Sequence, residues 1–173
     1  MTQATELRSC FVIAPIGEEG SDTRNRSDKV LKHIIRPAAQ SCGYKAERAD
    51  EIDKPGLITS QVINRVVQDE LVIADLTEMN PNVFYELAIR HAIRKPLVQI
   101  IQKGERIPFD VAGTRTISVD HTDLDSAANA RDNIQKQIKE LYALNILKQV
   151  MSINSILSHE GYYGRIICNN KKY

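Results

Sequence analysis

Two apolar runs constrain this chain more than any other feature. CFVIAPIG (10–17) and ELVIADLT (70–77) carry hydrophobic residues at successive positions, and each ends in proline and glycine or in an acid followed by polar residues. Such runs are too short for a buried helix. They read as strands covered on both faces, the kind found at the centre of a parallel sheet. Everything between and after them has to supply the covering layers.

The intervening segments do so. From Asp28 to Cys42, Val30, Leu31, Ile34, Ile35, Ala38 and Ala39 recur at helical spacing. Ser27 or Asp28 is the expected N-cap, Pro37 predicts a kink, and Gly43 closes the helix. YKAERAD (44–50) is a weaker strand, and a loop with Pro-Gly punctuation follows it. Ile58 to Gln68 is a second helix. Asn80 caps a third, with Pro81 in its first position and an end near Lys95. PLVQIIQ (96–102) and RTISVD (115–120) are two more strands. A long helix runs from Asp125 to about Leu144, with Ile134, Ile138, Leu141 and Tyr142 on its apolar face. Strands alternating with helices imply right-handed crossovers. The expected fold is therefore α/β: a flavodoxin-like, doubly wound sheet of five mostly parallel strands in the order 2-1-3-4-5, with helices on both faces. Residues 1–144 form that domain. Residues 145–173 are a C-terminal extension, read as a short helix, a turn at GYYG and a last strand or loose end, packing on the domain or on a partner subunit.

Composition narrows the function classes. Of 173 residues, 42% are hydrophobic and 26% charged, with a net charge of +1, so the chain is globular and has no basic surplus for nucleic acid. No stretch approaches a membrane span, and a cytoplasmic protein is expected. Cys10, Cys42 and Cys168 are too scattered for a disulfide framework or a zinc site and read as buried thiols. His33, His91, His121 and His159 have no partners at ligand spacing, so no metal is expected.

In an open parallel sheet, ligands bind beyond the carboxyl ends of the strands, where the strand order reverses. Here that point lies between the first and third strands. It gathers Ala14, Pro15, Ile16 and Gly17 after one, and Asp75 and Thr77 after the other. The third helix starts in the same crevice at Asn80, and Glu86 lies about two turns inside it at ~1.5 Å per residue. Phe84, Leu87, Ala88 and His91 are the expected sheet-facing stripe. Glu86 would then share a flank with Asn82 and Arg90 at the stripe's margin. Two readings stay open: Asp75 and Glu86 are a catalytic pair, or Asp75 bonds turn amides while Glu86 pairs with Arg90 at i, i+4. Arg24 and Arg26 lie beside the crevice and either hold a phosphate or stand in solvent as loop charges. No glycine-rich phosphate fingerprint is present.

VIADLTEMNPNVFYELAIRHAIRKPLVQII, preceded by CFVIAPIG, resembles the nucleoside 2-deoxyribosyltransferase-like proteins, and within that set a bacterial TIR-like, nucleotide-binding group. The resemblance runs from about Cys10 to Gln102. It implies the flavodoxin-like fold and cleavage of an N-glycosidic bond by a helix glutamate. On this resemblance Glu86 takes the place of that glutamate and Asp75 that of the acid ending the preceding strand. Ala14, Pro15 and Gly17 match the loop over the sugar. Ala88 stands where the transferases usually have glycine, and Asn80 and Asn82 stand where they have an acid and small residues. Those departures favour hydrolysis over base exchange. The expected activity is that of an N-glycosidase on a nucleotide, with NAD⁺ as substrate rather than cofactor and nicotinamide released. Asn80 and Asn82 would contact ribose or base, and Arg24 and Arg26 phosphate. The resemblance also implies a homo-oligomer acting in bacterial immunity, with an activating partner or signal. The alternatives are a deoxyribosyltransferase, a non-catalytic module that binds a nucleotide signal, and a self-associating interaction domain.

Overall fold

The computed structural model describes residues 6–52 and 58–169, with side chains described as far as Leu147 except those of Ile58 and Asp110. Five parallel strands form one sheet: β1 (Arg8–Ile13), β2 (Tyr44–Arg48), β3 (Leu71–Asp75), β4 (Leu97–Gln102) and β5 (Thr116–Val119). Their order is β2-β1-β3-β4-β5, the flavodoxin-like order expected. Cys10 pairs with Ala46 on one side and Leu71 on the other, and Asp75 pairs with Ile100, so β1 and β3 are the central strands. Both are buried through their apolar runs; Phe11, Val12, Val72, Ile73 and Ala74 are wholly inaccessible. The chain divides into two units, Met1–Lys139 and Glu140–Tyr173. The sheet and every residue of the site below belong to the first.

The helices are α1 (Asp22–Val30), α2 (Arg36–Ser41), α3 (Ile58–Gln68), α4 (Pro81–Ala92) and α5 (Leu124–Asn169). Helix α1 begins six residues before the expected Asp28. Its cap is Ser21, whose hydroxyl accepts from the Arg24 amide at 3.1 Å, and Asp22 sits in the first turn. The expected cap, Ser27, is instead buried inside the helix, where its hydroxyl accepts from Arg48 at 2.7 Å. The kink at Pro37 takes the form of a π-helical segment, Leu31–Ile35, between α1 and α2. The Arg36 amide reaches back to the Leu31 carbonyl, and the wider turn accommodates a ring that cannot enter a regular α-helix. Helix α5 keeps a helical backbone through GYYG, so the turn and final strand expected there do not form. Its apolar face in the first unit is Ala127, Ala130, Ile134 and Ile138.

The inward face of α4 also differs from the expected stripe. Val83, Leu87 and Arg90 are buried, whereas Ala88 and His91 are exposed. The register is shifted because Arg90 points inward and is completely inaccessible. Its guanidinium donates to the carbonyls of Val66, Asp69, Glu70 and Pro96 at 2.7–3.2 Å, closing the end of α3 and the entries to β3 and β4. Burial pushes its pKa down to about 10, so it stays charged near neutrality. Among the described residues, no helix is long and apolar enough to cross a membrane. Cys10 is buried and free, Cys42 is half-buried and free, and the Cys168 side chain lies outside the described set.

Candidate active site

A cleft of about 400 Å³ opens beyond the carboxyl ends of the central strands. One wall is the end of β1 and its loop: Ile13, Ala14, Ile16 and Gly17. The second is the start of α4: Asn80, Asn82, Val83, Tyr85 and Glu86. The third is Ala49 with Thr59, Val62 and Ile63 of α3. The two walls expected from strand order are present. The α3 wall was not expected: Val62 and Ile63 fall on one side of a helix, a spacing that by itself does not separate a cleft wall from sheet packing. Pro15 follows Ala14 but does not line the cleft.

Glu86 is the chemically distinctive group. It is half-buried at the margin of the inward face of α4, beside the fully buried Val83 and Arg90. Among the described residues, no hydrogen bond or ion pair engages its carboxyl, and Arg90, its expected i+4 partner, is committed to backbone carbonyls. Burial alone pushes the carboxyl pKa up to about 7. A carboxyl held near neutrality in a cleft is the usual environment of a catalytic acid, base or nucleophile.

Asp75 has the opposite environment. It is wholly buried and receives a bidentate grip from Arg26, at 2.8 and 3.3 Å. It also accepts from the Thr77 amide at 3.2 Å and from the Thr77 hydroxyl. Arg26 further donates to Gln102 at 3.2 Å and to Thr77 at 2.6 Å. Arg24 pairs with Asp28 at 3.1 Å and with Asp50 at 2.8 Å. Asp75, Thr77, Arg24 and Arg26 all lie outside the lining of the cleft. Asp75 and Glu86 therefore do not share the lining of this cleft, and the two arginines are paired with carboxylates, Arg26 with the buried Asp75 and Arg24 with the more exposed Asp28 and Asp50.

Asn80 and Asn82 do reach the cleft. The Asn80 side-chain oxygen accepts from the Asn82 and Val83 amides at 3.0 and 3.5 Å, so it caps α4 and leaves only its NH₂ for a ligand. The Asn82 side chain is engaged by none of the described residues. The described lining thus holds one acid, two amides, one tyrosine, one threonine and aliphatic groups, with no cation. A second cleft of about 370 Å³ beside β2 includes Glu47 and Glu51. Both are neutralised, by Lys45 and Arg65 and by Arg36, so it offers no comparable reactive group. His33 and His91 are exposed, and no cluster of three metal-ligating side chains exists among the described residues.

No protein-family model matches the chain, and no curated protein sequence does. Solved structures do. The 2-deoxyribosyltransferase of the psychrotolerant bacterium Bacillus psychrosaccharolyticus matches with a TM-score of 0.50 at 10% identity, over 69% of this chain and 95% of its own. A CMP N-glycosidase of Clostridium botulinum matches with a TM-score of 0.48 at 12% identity, over 81% of this chain and 99% of that one. The 2-deoxyribosyltransferase of Leishmania mexicana matches with a TM-score of 0.42 at 15% identity, over 65% of each chain; this chain spans just under two thirds of its length. The Bacillus likeness shows that the fold is that of a deoxyribosyltransferase, the flavodoxin-like sheet expected from the order of elements.

Proposed function

We propose that this chain breaks the N-glycosidic bond of a nucleoside or nucleotide, with Glu86 acting at the anomeric carbon. The observation that carries this reading is the Glu86 carboxyl itself: on the wall of a substrate-sized cleft, unpartnered, and raised to about 7 by burial. A fold shared with a deoxyribosyltransferase supports it.

The chemistry follows from the environment. As the C1′–N bond breaks, its electron pair leaves with the base, which takes a proton from water when it departs from an uncharged nucleoside and needs none when it departs as neutral nicotinamide, and positive charge builds on the ribose ring. A poorly solvated carboxylate gains more from that charge than it would in water, because the local dielectric is low. Glu86 then attacks C1′ to form a glycosyl ester, which water cleaves to release the sugar and restore the carboxylate. The Asn80 NH₂ and the Asn82 amide are placed to hydrogen-bond sugar or base, and Tyr85, Val62 and Ile63 offer apolar surface to a ring. NAD⁺ fits the chemistry because nicotinamide leaves as a neutral base. Its phosphates were assigned to Arg24 and Arg26, which are paired with carboxylates and lie outside the lining of the cleft. A cleft whose described lining carries no cation suits an uncharged nucleoside better, so nucleosides rank first and NAD⁺ second.

The test is chromatographic detection of free base. Purified protein, dilute and concentrated, is incubated with nucleosides, deoxynucleosides, their monophosphates and NAD⁺, beside Glu86→Gln. Release by the parent and its loss in the variant is the expected result. Equal release by both would remove Glu86 from the reaction. No release from any substrate would favour a binding module over an enzyme.

A further inference from the structure

Two consecutive non-glycine residues, Glu78 and Met79, hold left-handed backbone conformations, with φ of +62° and +47°. They form the turn between β3 and α4, immediately before Asn80. Each such residue is strained and persists only where its surroundings enforce it. The surroundings here are specific. The Thr23 hydroxyl, in the first turn of α1, donates to both oxygens of the Glu78 carboxylate, at 2.8 and 3.0 Å. From the other side, the Glu78 amide donates to a Glu105 carboxylate oxygen at 2.8 Å.

Thr23 has a second contact. Gly17, on the opposite wall of the cleft, has φ +67°, and a Cβ placed on it would lie 2.9 Å from the Thr23 Cβ and 2.7 Å from the Ser21 hydroxyl. The β1–α1 loop therefore rests directly on Thr23. One residue outside the cleft touches two of its three walls: Gly17 by packing, and the turn carrying Asn80 by a hydrogen bond.

We propose that the Thr23–Glu78 bond is a positioning clasp. It holds the strained turn so that Asn80 and the first turns of α4, with Glu86, stand at a fixed distance from the Gly17 loop. Neither residue lines the cleft or touches substrate. The proposal rests on the N-glycosidase reading for its kinetic consequence but not for its structural one. The clasp explains why glutamate occupies a position that glycine would fill without strain.

Three variants test it. Thr23→Val keeps the contact with Gly17 and removes the bond. Thr23→Ser keeps the bond. Glu78→Gly removes both the bond and the strain. Thr23→Val and Glu78→Gly are expected to lower kcat/KM about five- to tenfold, the scale of one lost hydrogen bond. Thr23→Ser is expected to stay within twofold of the parent, and Glu78→Gly to keep or raise Tm. Activity falling while stability holds is the signature, because a merely structural bond would make the two fall together. Amide hydrogen exchange at Asn82 and Val83 supplies a readout independent of turnover: both should exchange faster in Thr23→Val and Glu78→Gly. Unchanged exchange with kcat/KM within twofold overturns the clasp. If the parent releases no base at all, the functional reading falls, and exchange at these two amides alone decides the clasp.

Discussion

Asp75 and Glu86 lie eleven positions apart, at the end of one element and near the start of the next, and both sit in the neighbourhood where an α/β sheet binds ligands. Their environments are opposite. Asp75 is wholly buried, yet every nearby donor is aimed at it: Arg26 twice, the Thr77 amide and the Thr77 hydroxyl. Glu86 is less buried and has no partner among the described residues. A carboxylate whose charge is already met stabilises the fold and has little left to offer a substrate. One that is desolvated and unpaired costs the fold something and keeps its charge available for a transition state. Burial alone does not separate the two roles; the presence of partners does.

The largest test of this contrast sets Glu86→Gln against Asp75→Asn in one base-release assay. The first is expected to lose on the order of 10³-fold in kcat/KM, as removal of a principal catalytic group does. The second is expected to lose less than tenfold while it remains folded. If Asp75→Asn abolishes release in a folded protein, the contrast breaks and Asp75 belongs to the reaction. Next in size is stability. Arg26→Ala leaves Asp75 buried without its counter-ion and should cost about 3–5 kcal/mol in urea unfolding. A loss below about 1 kcal/mol would show that water already shares the pair.

The pH dependence follows from the raised Glu86 pKa of about 7. A carboxylate nucleophile must be ionised, so kcat/KM should rise about tenfold per unit up to a plateau above that value. A falling limb there would instead make Glu86 the proton donor. The smallest effect is on folding. The carboxyl is raised from 4.5 to about 7, so the folded chain holds a proton that the unfolded chain has lost between those values. Stability attributable to Glu86 therefore declines as pH rises through that window, and the penalty is complete above it. The shift corresponds to at most about 3 kcal/mol, and partial solvation of the side chain reduces it to roughly 1–2. Glu86→Gln should recover that amount at pH 8 and nothing at pH 4.

The sheet was legible because its central strands are unbroken apolar runs, a local signal that needs no tertiary context. The crevice followed from strand order, and Gly17, Asn80 and Glu86 followed from the crevice. Arg90 did not. Spaced four residues after a glutamate, it looks like half of a surface pair, and nothing near it in sequence announces the four carbonyls that it bonds. Those carbonyls come from α3 and from the residues just before β3 and β4, and converge only in the folded chain. The start of α1 was missed for a related reason. DTRNRSDK is polar throughout and reads as a loop, but its side chains answer partners on β2, β3 and β4. The internal partner of Arg26 was not legible either, because a solvent-facing arginine and one gripping a buried acid have the same sequence signature.

Arg90 carries a consequence for how this protein tolerates variation. Lysine has too few and wrongly disposed donors to replace a planar fork bonded to four carbonyls. Saturation mutagenesis of α4, sorted once for abundance in cells and once for base release, should therefore give two different profiles. Position 90 would be depleted in both sorts. Position 86 would be depleted only in the second, and its glutamine would be mildly enriched in the first.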